Sequence, residues 1–139
     1  MPISHLAVVV PDINQAREFY VAALKPLGYK IHTSYLDGKV IGLGEHYPEF
    51  WISEVNARKT EEEKKALPKQ SGPAGEFIHL AFSAKNREQV DQFYAAAIAA
   101  GGKDNGAPGL RPQYAPNYYG AFIYDHDGRN IEAVYIGDA

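Results

Sequence analysis

The sequence predicts an α+β fold of two βαβββ modules, whose curved mixed sheets enclose one cavity with the helices outside. Three observations carry that prediction: the chain repeats itself, its apolar residues switch between period two and helical spacing, and Gly and Pro punctuate both halves at matching places. His5-Leu6-Ala7 returns as His79-Leu80-Ala81. At the same offset Gln15 returns as Gln89, Phe19-Tyr20 as Phe93-Tyr94, Ala22-Ala23 as Ala96-Ala97, and Gly28 as Gly102. Each half is one copy of a unit, and two equivalent strands each offer one imidazole.

The elements follow in order. Ile3 to Val10 is an apolar strand-like run ended by Pro11. Asp12 with Gln15 makes a capping-box-like start for a helix in which Ile13, Ala16, Phe19, Tyr20, Ala23 and Leu24 recur at helical spacing, and Gly28 stops it. Strands are expected at Lys30 to Leu36, Val40 to Gly44 and Glu49 to Val55, the first two joined by an Asp37-Gly38 turn. The second half repeats this: Glu76 to Ser83 as a strand, Asn86 with Gln89 capping a helix through Ala100, Gly101-Gly102 ending it. Strands then follow near Lys103, at Tyr118 to Asp125 and at Asn130 to Ile136, with Asp127-Gly128 as the last hairpin turn. The chain thus divides into a first module at 1–55, a solvated linker at 56–75 with a short helix at Thr60 to Leu67, and a second module at 76–139, all within one domain. The Gly- and Pro-rich segment Gly106 to Asn117 reads as a loop, long enough to be functional.

Composition narrows the function classes. The chain has 139 residues, with 14 basic against 17 acidic side chains and no basic block, so nucleic acid is not expected as a partner. No apolar run approaches the roughly 20 residues that span a bilayer, and the first ten residues do not read as a secretory signal. A soluble, cytoplasmic protein is expected. The absence of cysteine excludes disulfides, thiolate metal sites and cysteine nucleophiles.

Alternation places the histidines. Ile3, His5, Ala7 and Val9 share one face of the first strand, and Phe77, His79, Ala81 and Ser83 share the equivalent face of the fifth. The bulkier opposite faces want the helices, so His5 and His79 should face the cavity of the curved sheets. Glu132 is the only carboxylate well inside a strand of the second half. A lone strand histidine is most often a hydrogen-bonded core residue. His32, His46 and His126 fall outside the pattern and read as surface residues. Trp51 is pocket wall or core; Arg111 either anchors the loop or binds a substrate anion bidentately; Tyr114, Tyr118 and Tyr119 suit a pocket rim or ordinary loop packing.

The paired His-Leu-Ala strands, the two βαβββ units and the ending Asp127-Gly128-Arg129-Asn130-Ile131-Glu132 closely resemble the vicinal oxygen chelate superfamily, which includes glyoxalase I, bleomycin-resistance proteins, fosfomycin-resistance thiol transferases and extradiol dioxygenases. Within it, Gly106-Ala107-Pro108-Gly109-Leu110-Arg111-Pro112 followed by Tyr118-Tyr119-Gly120-Ala121-Phe122 resembles a widespread glyoxalase-like group. The resemblance implies His5, His79 and Glu132 as ligands of a divalent metal. Two imidazoles and a carboxylate suit Fe, Ni, Mn, Co or Zn. The fourth strand, where metal-using members often carry a further ligand, reads Phe50-Trp51-Ile52-Ser53, with Glu49 and Glu54 only at its ends.

Two functions are expected from this. The first is a small-molecule enzyme in which a divalent metal chelates vicinal oxygens, of lyase, isomerase, thiol transferase or dioxygenase type but not a typical glyoxalase I, with Glu132 and Tyr114 as catalytic candidates and Trp51, Arg111, Tyr118 and Tyr119 as substrate contacts. The second is a non-catalytic protein that sequesters a small aromatic molecule, as bleomycin-resistance proteins do. Members of the superfamily commonly pair, so a homodimer is expected, with its site within one chain or across two.

Overall fold

The computed structural model describes residues 3–57, 59–65 and 78–138. Its first module comprises β1 (Leu6–Val10), α1 (Ile13–Leu24), β2 (Lys30–Tyr35), β3 (Val40–Gly44) and β4 (Phe50–Glu54). A short helix α2 (Glu61–Lys65) follows, then β5 (His79–Ser83), α3 (Arg87–Ala99), β6 (Lys103–Leu110), β7 (Tyr118–Tyr124) and β8 (Asn130–Ile136). Each module builds one four-stranded mixed sheet, ordered β1-β4-β3-β2 in the first and β5-β8-β7-β6 in the second. The expected α+β arrangement of two βαβββ modules is therefore present. Much of the expected linker at 56–75, and residues 76–77 of the expected fifth strand, lie outside the described residues.

Capping explains where the helices begin. Asp12 accepts from the backbone N–H groups of Asn14 and Gln15, and Asn86 from that of Gln89, so each helix starts with a side chain satisfying donors that the helix itself cannot. Thr60 and Glu63 exchange reciprocal bonds at the start of α2. After α1 a 3-10 turn over Lys25–Leu27 ends at Gly28, whose φ of 86° is a left-handed conformation suited to glycine.

One element departs from expectation. Gly106 to Leu110, expected as loop, belongs to β6, and the true loop spans only 111–117. The strand lies at the sheet edge, among the described residues pairs only with β7, and shifts register between Asp104 and Gly106 and again between Gly106 and Gly109. An edge strand with bulges tolerates Pro108, because its missing N–H faces no partner strand.

A single apolar core spans both modules, with α1 and α3 packed on each other and Phe19, Tyr20, Leu24, Val90 and Phe93 fully buried between helices and sheets. A buried polar network also joins the modules. Arg129, 3% exposed, reaches from the β7–β8 turn to the carbonyl of Val9 in β1 and pairs with Asp125 at 3.1 Å and Asp127 at 2.9 Å. The Tyr20 hydroxyl of α1 donates to Asp125. With a buried cation, two carboxylates and a phenol all partnered, the network avoids the cost of an isolated buried charge and fixes how one module sits on the other.

The β1 edge of one sheet faces the β5 edge of the other. Residues 3–6 line a cavity with Leu80–Ser83, whereas Val8–Val10 line another with Ile78 and Arg129, so the two edges run past each other in opposite directions. The sheets are not closed. Alternation sorts the faces as expected, with Val8 and Val10 buried toward the helices, but His5, Ala7, Val9, His79, Ala81 and Ser83 on the opposite faces are exposed and do not face one enclosed cavity, because the sheets remain open.

Candidate functional site

The open face of the second module holds the densest chemistry. His79 begins β5 opposite Asn130 of β8, and Ala81 lies opposite Glu132, so His79 and Glu132 project from neighbouring parallel strands on one face. His79 Nε2 lies 3.0 Å from Glu132 Oε2, and its Nδ1 lies 2.9 Å from the Asn130 carbonyl oxygen. A carbonyl only accepts, so Nδ1 carries a hydrogen. That leaves Nε2 as the ring nitrogen facing the carboxylate. The other Glu132 oxygen accepts from the Tyr118 hydroxyl, and Glu132 is only 2% exposed although His79 beside it is 46% exposed at its side chain. Burial, then the bond to Glu132, raises the Tyr118 phenol above its ordinary range, so Tyr118 acts as a proton-holding donor.

Gly120 makes that contact possible. A Cβ there would lie 3.1 Å from Glu132 Oε1 and 3.2 Å from the Tyr118 ring, closer than side chains normally approach. Phe122 stands opposite Glu132 in β7 and stacks on His79 with centroids 6.1 Å apart. The Arg111 guanidinium lies over the Phe122 ring, 5.5 Å from its centroid.

The open face of the first module is aromatic instead. His5 precedes β1, is exposed, and its Nδ1 lies 2.7 Å from Ser4 Oγ. With Ala7, Tyr35, Val40, Trp51 and Ser53 it lines a cavity of about 370 Å³. Tyr35 and Trp51 stack nearly parallel, 5.9 Å apart. Ala7 pairs with Trp51 as its repeat mate Ala81 pairs with Glu132, so Trp51 occupies the first module's counterpart of the Glu132 position. The flanking carboxylates are engaged elsewhere: Glu49 accepts from Tyr29, and Glu54 from the Ile13 N–H at the start of α1.

The sequence-derived candidates are thus distributed rather than gathered. His79, Glu132, Tyr118 and Arg111 share one face, and His5 and Trp51 share another. Among the described residues no group of three or more His, Asp or Glu side chains is placed to hold a metal ion. Tyr119 points the opposite way from Tyr118, donating to Asp91 of α3 with the Arg87 guanidinium over its ring, and so joins the helix packing. Tyr114 is 61% exposed and packs edge-on against Tyr118. Sequence reading missed Phe122, Asn130 and Tyr35. A signal for Phe122 existed, because the Asp127-Gly128 turn pairs Tyr124 with Asn130 and so Phe122 with Glu132.

Among the described residues no helix is long and apolar enough to cross a membrane. Comparison with known proteins agrees with this architecture. The family model for the glyoxalase/bleomycin resistance protein/dioxygenase superfamily matches residues 2–133. A glyoxalase/bleomycin resistance protein from Albidiferax ferrireducens T118 is 29% identical, with 96% of this chain and 98% of that one aligned at a TM-score of 0.70. A glyoxalase/bleomycin resistance protein/dioxygenase family enzyme from Burkholderia phytofirmans PsJN (20% identity, 97% and 98% coverage, TM-score 0.68) and a lactoylglutathione lyase from Agrobacterium tumefaciens (16%, 95% and 91%, 0.62) share the fold. No curated protein matches the sequence significantly. A family match across nearly the whole chain, on a structure with two βαβββ modules, shows that this chain belongs to the glyoxalase/bleomycin resistance protein/dioxygenase superfamily.

Proposed function

We propose that this protein binds a small molecule with the help of a divalent metal, and that its site is completed by a second copy of the chain: His79 and Glu132 of one protomer with His5 of the other. The observation that carries this reading is the pair of contacts made by His79. With Nδ1 held by the Asn130 carbonyl, the imidazole can present Nε2 beside a carboxylate oxygen, the arrangement in which a backbone acceptor orients a metal-binding histidine. Two such donors leave a cation under-coordinated, and His5, exposed on the other open face, is the remaining imidazole of the repeat. The donor set suits Fe, Ni, Mn, Co or Zn.

A bound cation of this kind supplies Lewis acidity to adjacent substrate oxygens. The chain's own groups do the rest. Tyr118 keeps its proton and fixes the Glu132 carboxylate, Tyr114 braces the Tyr118 ring, and Trp51 with Tyr35 forms an apolar wall beside His5. Because Trp51 stands at the counterpart of Glu132, and Glu49 and Glu54 are bonded elsewhere, the reading excludes a typical glyoxalase I and leaves lyase, isomerase, thiol transferase or dioxygenase chemistry. Elemental analysis of protein purified without chelator or histidine tag tests it, with stoichiometric metal expected.

One observation favours a second reading. The stacked Tyr35–Trp51 pair and its cavity of about 370 Å³ suit a planar aromatic ligand held without turnover. Metal-free protein that binds an aromatic molecule tightly would favour this alternative.

A further inference from the structure

The stretch from Asp104 to Gly109 is bulged twice, and its glycines make room for one side chain. Arg111 Nη2 donates to the Ala107 carbonyl at 2.7 Å and Nη1 to the Leu110 carbonyl at 3.3 Å, so the guanidinium lies back along its own strand, over the Phe122 ring. Both glycines give it room: a Cβ on Gly109 would lie 3.0 Å from Nη1, and one on Gly106 3.2 Å from Nη2. The backbone around it is tied as well, with the Arg111 N–H donating to the Tyr118 carbonyl and its own carbonyl accepting from Tyr114. Among the described residues no carboxylate pairs with this cation. A loop anchor needs only the carbonyl bonds. A guanidinium held in a glycine cradle, on the open face, with donors left over and no acid beside it is instead prepared for a ligand's oxyanion, which it can meet with two parallel N–H groups.

From this cradle we infer that Arg111 is the anion-recognition residue of the site, and that its small-molecule ligand carries a carboxylate or phosphate group remote from the atoms held at His79 and Glu132. Arg111 and His79 both contact the Phe122 ring, at 5.5 Å and 6.1 Å from its centroid, so the anion is placed about one aromatic ring's reach from the histidine. This rests on the proposed reading only in taking the β5–β8 face as the ligand face. It does not need a metal.

The test is therefore run on metal-free protein, with benzoate, phenyl phosphate and the uncharged benzyl alcohol as probes, by calorimetry or ligand-observed NMR. The wild-type protein should bind at least one anion better than benzyl alcohol, and the tighter of the two identifies carboxylate or phosphate as the source. Arg111→Met should weaken anion binding about tenfold or more while leaving benzyl alcohol unchanged, and Arg111→Lys should fall between, since it keeps the charge and loses the fork. Gly109→Ala, which leaves Arg111 in place but crowds Nη1, should weaken anion binding severalfold with unfolding temperature checked in parallel. Equal binding of anions and alcohol by wild type, or unchanged anion affinity in Arg111→Met, overturns the inference. Loss of metal binding in His79→Ala with anion binding intact would separate this inference from the metal reading.

Discussion

Trp51 and Glu132 occupy equivalent places in the two modules, each paired across parallel strands with the alanine of a His-Leu-Ala segment, yet one presents an indole and the other a buried carboxylate. The repeat has kept its backbone and differentiated its chemistry. One module offers a carboxylate bonded to both a histidine and a tyrosine, whereas the other offers a histidine beside stacked aromatic rings.

This difference makes glyoxalase I activity unexpected. A positioned base is typically worth about 10² to 10⁴ in rate, and the first module supplies none at the Trp51 position. Methylglyoxal and glutathione should be converted poorly even with Ni(II) or Zn(II) supplied. Turnover comparable to an authentic glyoxalase, abolished by replacing Glu49 or Glu54, would contradict the assignment of both carboxylates to structural bonds.

If His79 and Glu132 hold a metal as proposed, Tyr118 tunes that pair through its bond to Glu132. Tyr118→Phe removes the donor to Glu132 Oε1 and should lower metal affinity about 10- to 100-fold without unfolding the protein, the usual cost of losing a partner that orients a ligand. A competitive chelator titration reads this directly. Equal affinity in the two proteins would show that Glu132 needs no such support.

Arg129 should matter far more for stability than for binding. Arg129→Met leaves Asp125 buried with its cation gone, and breaking a buried pair typically costs about 3–5 kcal/mol. Urea unfolding should show that loss. A change under about 1 kcal/mol would mean that the network does not hold the modules together.

Alkaline pH should destabilise the fold through three phenols. Burial raises Tyr20, Tyr29 and Tyr118, with Asp125, Glu49 and Glu132 respectively as the next cause, so the folded state favours the protonated form of each. Tyrosines in the unfolded chain ionise near pH 10. The stabilisation is complete below about pH 10 and is lost progressively above it. Ultraviolet titration should show these three ionising only as structure is lost, whereas reversible ionisation of every tyrosine near pH 10 in folded protein would refute it.

Much of this was legible in the chain. The capping residues Asp12 and Asn86, the order of strands, and the placement of His5 and His79 on the faces opposite the helices all follow from local pattern, because period and punctuation act within a few residues; that those faces lie open instead of enclosing one cavity did not. The reach of Arg129 to Val9 was not, since those residues are 120 positions apart. The β6 extension was hidden because Gly and Pro report turns in most settings and an edge strand is the exception. Tyr118 and Tyr119 looked alike as rim candidates, but alternation allows only one of two neighbours on the open face, and the hairpin register chose Tyr118. Nor does a repeat reveal whether its two histidine faces meet within one chain or between two.

That last point admits a direct measurement. A heterodimer of differently tagged His5→Ala and His79→Ala chains combines one site lacking both histidines with one site that lacks neither, provided that each site takes His5 from one protomer and His79 from the other. Each homodimer should bind no metal, and the purified heterodimer should recover about half the wild-type metal content. A heterodimer as empty as its parents would contradict a site shared between two copies of the chain.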